Sequence, residues 1–250
     1  IATRRQRPVL RIGAGVGTVI LVAVAAFVVG PAIAATNVPR PVIGATPASK
    51  GLAYETVTVT TGDGVRLAGW YLPSTNRVAV VLLHGAGSTR SATLDQALVL
   101  VAEGFGALLY DARGHGRSEG RAMDFGWYGD EDLAGAVNYL QGRTDVDPDR
   151  IALLGLSMGG EQALGALATV PDARAVVAEG ATGRVAADHA WLSEEHGWRG
   201  ALQEGIERLQ TGVTDLLTSA DPPPALRDSV AEAGRPVLLI AAGTVQDEID

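Results

Sequence analysis

Residues Gly155-Leu156-Ser157-Met158-Gly159 form the pattern G-x-S-x-G. A serine hydroxyl placed beside a base attacks acyl carbonyls and passes through a covalent acyl intermediate. The context suits that chemistry. The pattern follows the apolar run at 151–156 and opens a segment of helical character, so Ser157 falls on a sharp strand-to-helix turn. A serine there sits on strained backbone, and the residues two positions away must lack bulk. Gly155, Gly159 and Gly160 meet that requirement. The start of the following helix also leaves amide N–H groups free to stabilise negative charge.

Acyl transfer needs two N–H donors aimed at the developing oxyanion. One is expected from Met158, next to the nucleophile. The other is expected from the loop His84-Gly85-Ala86-Gly87-Ser88, with Ala86 as first candidate and Gly85 as second. His84 is read as a prop for this loop rather than as a base. The turn Asp111-Ala112-Arg113-Gly114-His115-Gly116-Arg117-Ser118 follows another apolar run. Asp111 and Arg113 are read as a structural anchor of that loop, and His115 as structural.

The elements that must position these loops are legible as a pattern. Residues 55–61 alternate with period two, 61–64 are a turn, and 65–72 complete a hairpin. Continuous apolar runs at 78–83, 105–110, 151–156, 173–178 and 237–241 read as strands covered on both faces. Helices are expected over 91–103, 130–140 and 161–168. A hairpin followed by strand–helix alternation predicts an α/β fold, a mainly parallel sheet with helices on both faces. The alternation breaks between 182 and 235, a stretch holding Trp191, Trp198, His189, His196 and the run Asp221-Pro222-Pro223-Pro224. It reads as a cap-like insertion or as a plain pair of surface helices.

The amino terminus has a different character. Arg4, Arg5, Arg7 and Arg11 lie in residues 1–11 without an acid, and residues 12–35 carry no charge. As a helix those 24 residues span about 36 Å, enough for about 30 Å of hydrocarbon. The run reads as a signal anchor or as a signal peptide cleaved near Ala34, with 1–11 on the cytoplasmic side and the rest translocated. Residues 36–53, with Pro39, Pro41, Pro47, Gly44 and Gly51, read as a linker holding the domain at 54–250 off the membrane.

Composition closes off other classes. The 250 residues include no cysteine, which excludes disulfides, thiolate metal sites and a cysteine nucleophile. Four histidines without close pairing in the sequence give little support to a metal site, and a net charge of −8 argues against nucleic-acid binding.

Taken in order, H-G-x-G at 84–87, D-x-R-G-x-G-x-S at 111–118 and G-L-S-M-G-G at 155–160 resemble the α/β-hydrolase fold. Within it they look like the bacterial serine aminopeptidase-like and dipeptidyl-peptidase-like group. The resemblance covers Tyr54 to the end of the chain. It implies Ser157 as nucleophile, Ala86 and Met158 as oxyanion donors, no cofactor, and a small-molecule or peptide substrate with an ester, amide or peptide carbonyl. It also implies an acid and then a histidine after the nucleophile. The turn Gly243-Thr244-Val245-Gln246-Asp247 approximates the family's Gly-x-x-Asp with one extra residue. Asp247 is therefore the candidate acid, with Glu248 beside it; Glu179 is a third option, read rather as a loop or cap contact. The base histidine has no counterpart up to Asp250, because His189 and His196 precede the acid. On that reading the chain is a carboxy-terminally truncated fragment, expected to be nearly inactive by itself. The alternative is a non-catalytic α/β-hydrolase-like binding module at the outer membrane face.

Overall fold

The structure is a computed structural model that describes residues 6–122 and 124–241, with side chains from Arg11 onward. Seven strands form one sheet: β1 (Glu55–Thr60), β2 (Arg66–Leu72), β3 (Ala79–Leu83), β4 (Gly106–Tyr110), β5 (Ile151–Leu156), β6 (Ala173–Glu179) and β7 (Val237–Ile240). Their order is β1-β2-β4-β3-β5-β6-β7. β1 and β2 pair antiparallel from Glu55 opposite Tyr71 to Thr60 opposite Arg66, and β2 pairs antiparallel with β4. From β4 to β7 every pairing is parallel. The hairpin and the mainly parallel sheet are those the periodicity predicts.

β3 explains why the sheet needs two helical layers. Ala79, Val81 and Leu83 join one core cluster and Val80 and Leu82 the other. All five residues are buried, as a central strand covered on both faces requires. The first cluster is closed by α4 (Gly129–Gln141), α5 (Met158–Thr169) and α8 (Leu226–Ala233). The second is closed by α3 (Leu94–Ala102), with Ile43, Leu52 and Tyr54 packed against it.

α5 begins at Met158, directly after the strand-to-helix turn that the pattern predicts, and takes in Gly159 and Gly160 ahead of the stretch 161–168. A Cβ on Gly159 would stand 2.6 Å from the Leu83 carbonyl oxygen. The helix expected from 91 opens as a 3-10 turn, Arg90–Thr93, ahead of α3. In the stretch 182–235, a short turn (Ala186–His189), α6 (Leu192–His196) and the 20-residue α7 (Trp198–Leu217) precede α8. α8 packs on α5 as part of the core layer.

At the amino terminus α1 (Gln6–Val24), a π-helical turn (Ala25–Val29) and α2 (Gly30–Thr36) form one continuous helix. Over Arg11–Thr36 it is long and apolar enough to cross a membrane, with mean hydropathy 2.6, which makes it a candidate span. Its surface is mostly exposed, but Val28, Ala32 and Thr36 are buried, one helical turn apart, where its end packs on α7. Residues 37–54 run along the domain rather than away from it. Arg40 donates to the carbonyls of Ser118 and Gly120, Gly44 N–H donates to Ser91 Oγ at 3.1 Å, and Ser91 Oγ donates to the Ala45 carbonyl. The segment read as a spacer is thus a strap, because its backbone polar groups find partners on the α3 side of the domain.

One buried ion network ties the hairpin to the helical layer. The Arg113 guanidinium donates to Asp132 of α4 at 2.6 and 2.9 Å and to Asp63 of the hairpin turn at 2.7 Å. It stacks 4.1 Å from the ring centroid of Tyr128. Arg113 holds the Asp63 carboxyl down at about 2. Burial pushes Asp132 up to about 6 against the pull of Arg113. Asp132 is 1% exposed, so removing its partner strands a charge away from water. Arg113→Met is expected to cost about 3–5 kcal/mol. Asp63→Asn, at the more exposed arm, should cost about 1 kcal/mol or less. Urea midpoints of the two variants provide the comparison.

Candidate active site

Ser157 stands at the junction of β5 and α5 with φ 53° and ψ −126°. That region is sparsely populated for a residue with a side chain and costs about 1–3 kcal/mol. The turn is held from both sides. Ser157 N–H donates to the Glu179 carbonyl at 2.7 Å, and the Ser157 carbonyl accepts from Gly160 and Glu161 N–H at 2.7 and 3.1 Å. A Cβ on Gly155 would lie 2.1 Å from the Gly159 carbonyl oxygen, so only glycine allows the chain to double back this closely. Ser157 itself is exposed. Met158 follows as the first residue of α5, where a backbone N–H has no acceptor within the helix.

The loop after β3 comes directly against this turn. A Cβ on Gly85 would stand 3.2 Å from Ser157 Cβ and 3.8 Å from its Oγ. Ala86 is next in the chain and exposed. The 85–86 segment and the Ser157–Met158 turn, far apart in sequence, are therefore brought together.

Two histidines hold that loop. His84 Nδ1 bonds the Gly85 carbonyl at 2.8 Å, and Ala112 N–H donates to His84 Nε2 at 3.0 Å. His115 Nδ1 bonds the Arg113 carbonyl at 3.1 Å, and Gly87 N–H donates to its Nε2 at 3.2 Å. Each ring therefore donates through Nδ1 and accepts through Nε2, which fixes the neutral tautomer. Burial pushes both below the usual histidine range, His84 to about 4. Beside them, the Asp111 carboxylate accepts from the Arg90 and Arg117 N–H groups, each at 2.9 Å. The Arg90 guanidinium lies 3.4 Å from Asp111 and 4.4 Å from the Trp70 ring centroid. His84, His115, Asp111 and Arg113 are braces, as their loop context suggests.

The other candidates fall elsewhere. Glu179 meets the serine turn through its backbone carbonyl. His189 Nδ1 lies 2.9 Å from the Glu207 carboxylate of α7, and the His196 ring packs 6.0 Å from Trp191. Asp247 and Glu248 lie outside the described residues.

Three features near Ser157 have no clear mark in the sequence. Asp124, Phe125 and Gly126 all have positive φ, at 46°, 54° and 79°. Their turn abuts α5: a Cβ on Gly126 would lie 3.4 Å from Met158 Cγ and 3.0 Å from Gln162 Cγ. Burial raises the Asp124 carboxyl, which accepts a hydrogen bond from Thr218 beyond α7. The Glu161 carboxylate accepts from Thr182 N–H, Thr182 Oγ1 and Gly183 N–H at 3.1–3.2 Å, tying the loop after β6 to α5. Two clefts border α7. One of about 130 Å³ includes Phe125, Arg184, His189 and Glu207 in its walls; one of about 380 Å³ includes Arg121, Asp124, Tyr128 and Leu217. Trp191 and Trp198 line neither, and Trp198 is 73% exposed.

Comparison with known proteins agrees with this fold. Residues 74–222 match the family model described as serine aminopeptidase, S33. An uncharacterized protein of Mycobacterium tuberculosis is 39% identical over 124 residues, 48% of this chain and 43% of that protein. The uncharacterized protein YfhR of Salmonella typhimurium is 36% identical over 132 residues, 50% of this chain and 43% of that protein. The matches thus span less than half the length of these curated relatives. An esterase of Pyrococcus furiosus superposes with a TM-score of 0.61 at 24% identity, covering 81% of this chain and 74% of that one, which supports the fold.

The neutral histidines give the site a defined acid sensitivity. The folded state resists protonating His84, whose ordinary value is 6.5 and whose value here is about 4. Its contribution is complete above pH 6.5 and lost as pH falls through about 4, on the order of 3 kcal/mol. Urea midpoints at pH 7, 5.5 and 4.5 should fall steadily, and less steeply in His84→Asn.

Proposed function

The chain belongs to the serine aminopeptidase S33 family of α/β hydrolases, and from that premise we propose that it is a serine hydrolase acting on an ester, amide or peptide carbonyl. The observation that carries this reading is the exposed Ser157 at φ 53°, capped by α5 and faced by the 84–88 loop. Ser157 Oγ attacks the carbonyl carbon, and its proton passes to a histidine. The tetrahedral oxyanion accepts hydrogen bonds from the amides of Met158 and Ala86. Collapse expels the leaving group, which takes the proton, and water then hydrolyses the acyl-enzyme by the reverse route. No cofactor enters these steps.

His84 and His115 commit both ring nitrogens to loop backbone, which argues against either as the base. The family's chain order puts the base after the acid, past Asp250, with Asp247 orienting its imidazole. The apolar helix is assigned as the membrane anchor through residues 12–35, with 1–11 cytoplasmic and the domain outside, or secreted if the chain is cut near Ala34.

The test uses the protein expressed from its whole gene. A fluorophosphonate probe should label Ser157, as mapped by mass spectrometry. Ser157→Ala should abolish labelling and lower kcat at least ~10³-fold on whichever acyl substrate is turned over. Labelling of a different serine would overturn the assignment. No labelling at all would favour a binding module.

A further inference from the structure

α7 carries an apolar stripe that the domain does not use. Trp198, Leu202, Leu209 and Leu216 fall within an arc of about 40° when wound at 3.6 residues per turn. They are 73%, 59%, 57% and 84% exposed. The opposite side of the helix, with Gly200, Glu204 and Thr214, is buried against the protein. Four large apolar side chains aligned on one face of a 20-residue helix are an interaction surface, not scattered exposure.

The flank of α7 shows what covers it. Gln210 Nε2 donates to the Phe27 carbonyl, in the π-helical turn of the amino-terminal helix. Val28, Ala32 and Thr36 are buried where that helix packs on α7. If the helix spans a bilayer, the depth of Phe27 is constrained. About 30 Å of hydrocarbon takes about 20 helical residues. Counted from Ile12, the first residue after Arg11, those end near residue 31. Phe27 then lies about 6 Å below the outer edge of the hydrocarbon, and deeper if the helix tilts. Gln210 of α7 is bonded at that level, while Ala32 and Thr36, also buried in the packing on α7, fall just outside it, so α7 meets the span at the hydrocarbon edge. A depth of about 5–10 Å is where amphipathic interfacial helices bury their apolar face. The strap from Arg40 to Ala45 fixes the domain in the same posture.

We propose that α7 is an interfacial helix, and that lipid of the bilayer spanned by residues 12–35 covers Trp198, Leu202, Leu209 and Leu216. This rests on the anchor reading given above. A second copy of the chain would have to displace the lipid that the span already brings to this level.

The cysteine-free sequence permits a direct test in the full chain. Single variants Leu209→Cys, Leu216→Cys, Ile20→Cys and Val99→Cys carry an environment-sensitive fluorophore after reconstitution into phosphatidylcholine nanodiscs. Ile20 reports the span, and Val99, 67% exposed on α3, reports the solvent side. Labels at 209 and 216 should be quenched by acyl-chain nitroxide lipids and be at least about fivefold less sensitive to iodide than the label at 99. Iodide sensitivity at 209 and 216 equal to that at 99, with 20 protected, overturns the interfacial helix and leaves the anchor standing. Exposure at 20 overturns the anchor and the proposal together. Shielding at 209 without lipid quenching, with crosslinking between two copies through Leu209→Cys, assigns the stripe to self-association and overturns the proposal.

Discussion

At Ser157 the chain leaves β5 and enters α5 within one residue, and that reversal sets the distances around it. The backbone of 155 and that of 159–160 come within contact of each other, and α5 then presses on the carbonyl ends of β3. No side chain beyond hydrogen fits at Gly155 or Gly159. The strain at Ser157, about 1–3 kcal/mol, is offset by three backbone hydrogen bonds at the turn and by burial of α5 between sheet, α4 and α8. In return the hydroxyl is exposed at a helix start, with the 85–86 backbone beside it.

That arrangement persists only if the β3 loop is equally fixed, and here polar groups outweigh apolar ones. A loop packed against a sheet end must satisfy its N–H and C=O groups or lose about 1–3 kcal/mol for each. His84 and His115 each satisfy two, and Asp111 collects two more from neighbouring segments. The rings do this only when neutral, so the low proton affinity of His84 belongs to the same design. Arg113 extends the network outward to Asp63 and Asp132, joining the hairpin to the core.

Above this frame the chain is less symmetric. α7 meets the turn at 186–189 through Glu207 and His189 on one side, and the amino-terminal helix through Gln210 on the other. The end of the apolar helix thus packs on the domain through α7. The polar contacts of residues 40–45 on the domain surface point the same way.

By itself the sequence determined the local matters. Period-two and continuous apolar runs located all seven strands among the described residues, because side-chain burial in a strand is a nearest-neighbour pattern. The glycines around Ser157 announced the turn, since only close backbone approach demands them there. The roles of Asp111, Arg113 and the two loop histidines followed from loop context. What only the tertiary structure decided is which distant segments meet. Proline and glycine in 36–53 signalled irregular chain but not the partners that fold it back as a strap. The left-handed turn at Asp124–Gly126 left no readable mark, because two of its three positive-φ residues are not glycine. The start of α5 directly after Ser157 was legible too, although glycine is a poor helix former, because the motif marks a strand-to-helix turn. The docking of α7 on the amino-terminal helix joins residues 183 positions apart, through the Gln210 amide and the packing that buries Val28, Ala32 and Thr36. Such a contact depends on shape complementarity between two surfaces, and no local pattern in either segment encodes the other.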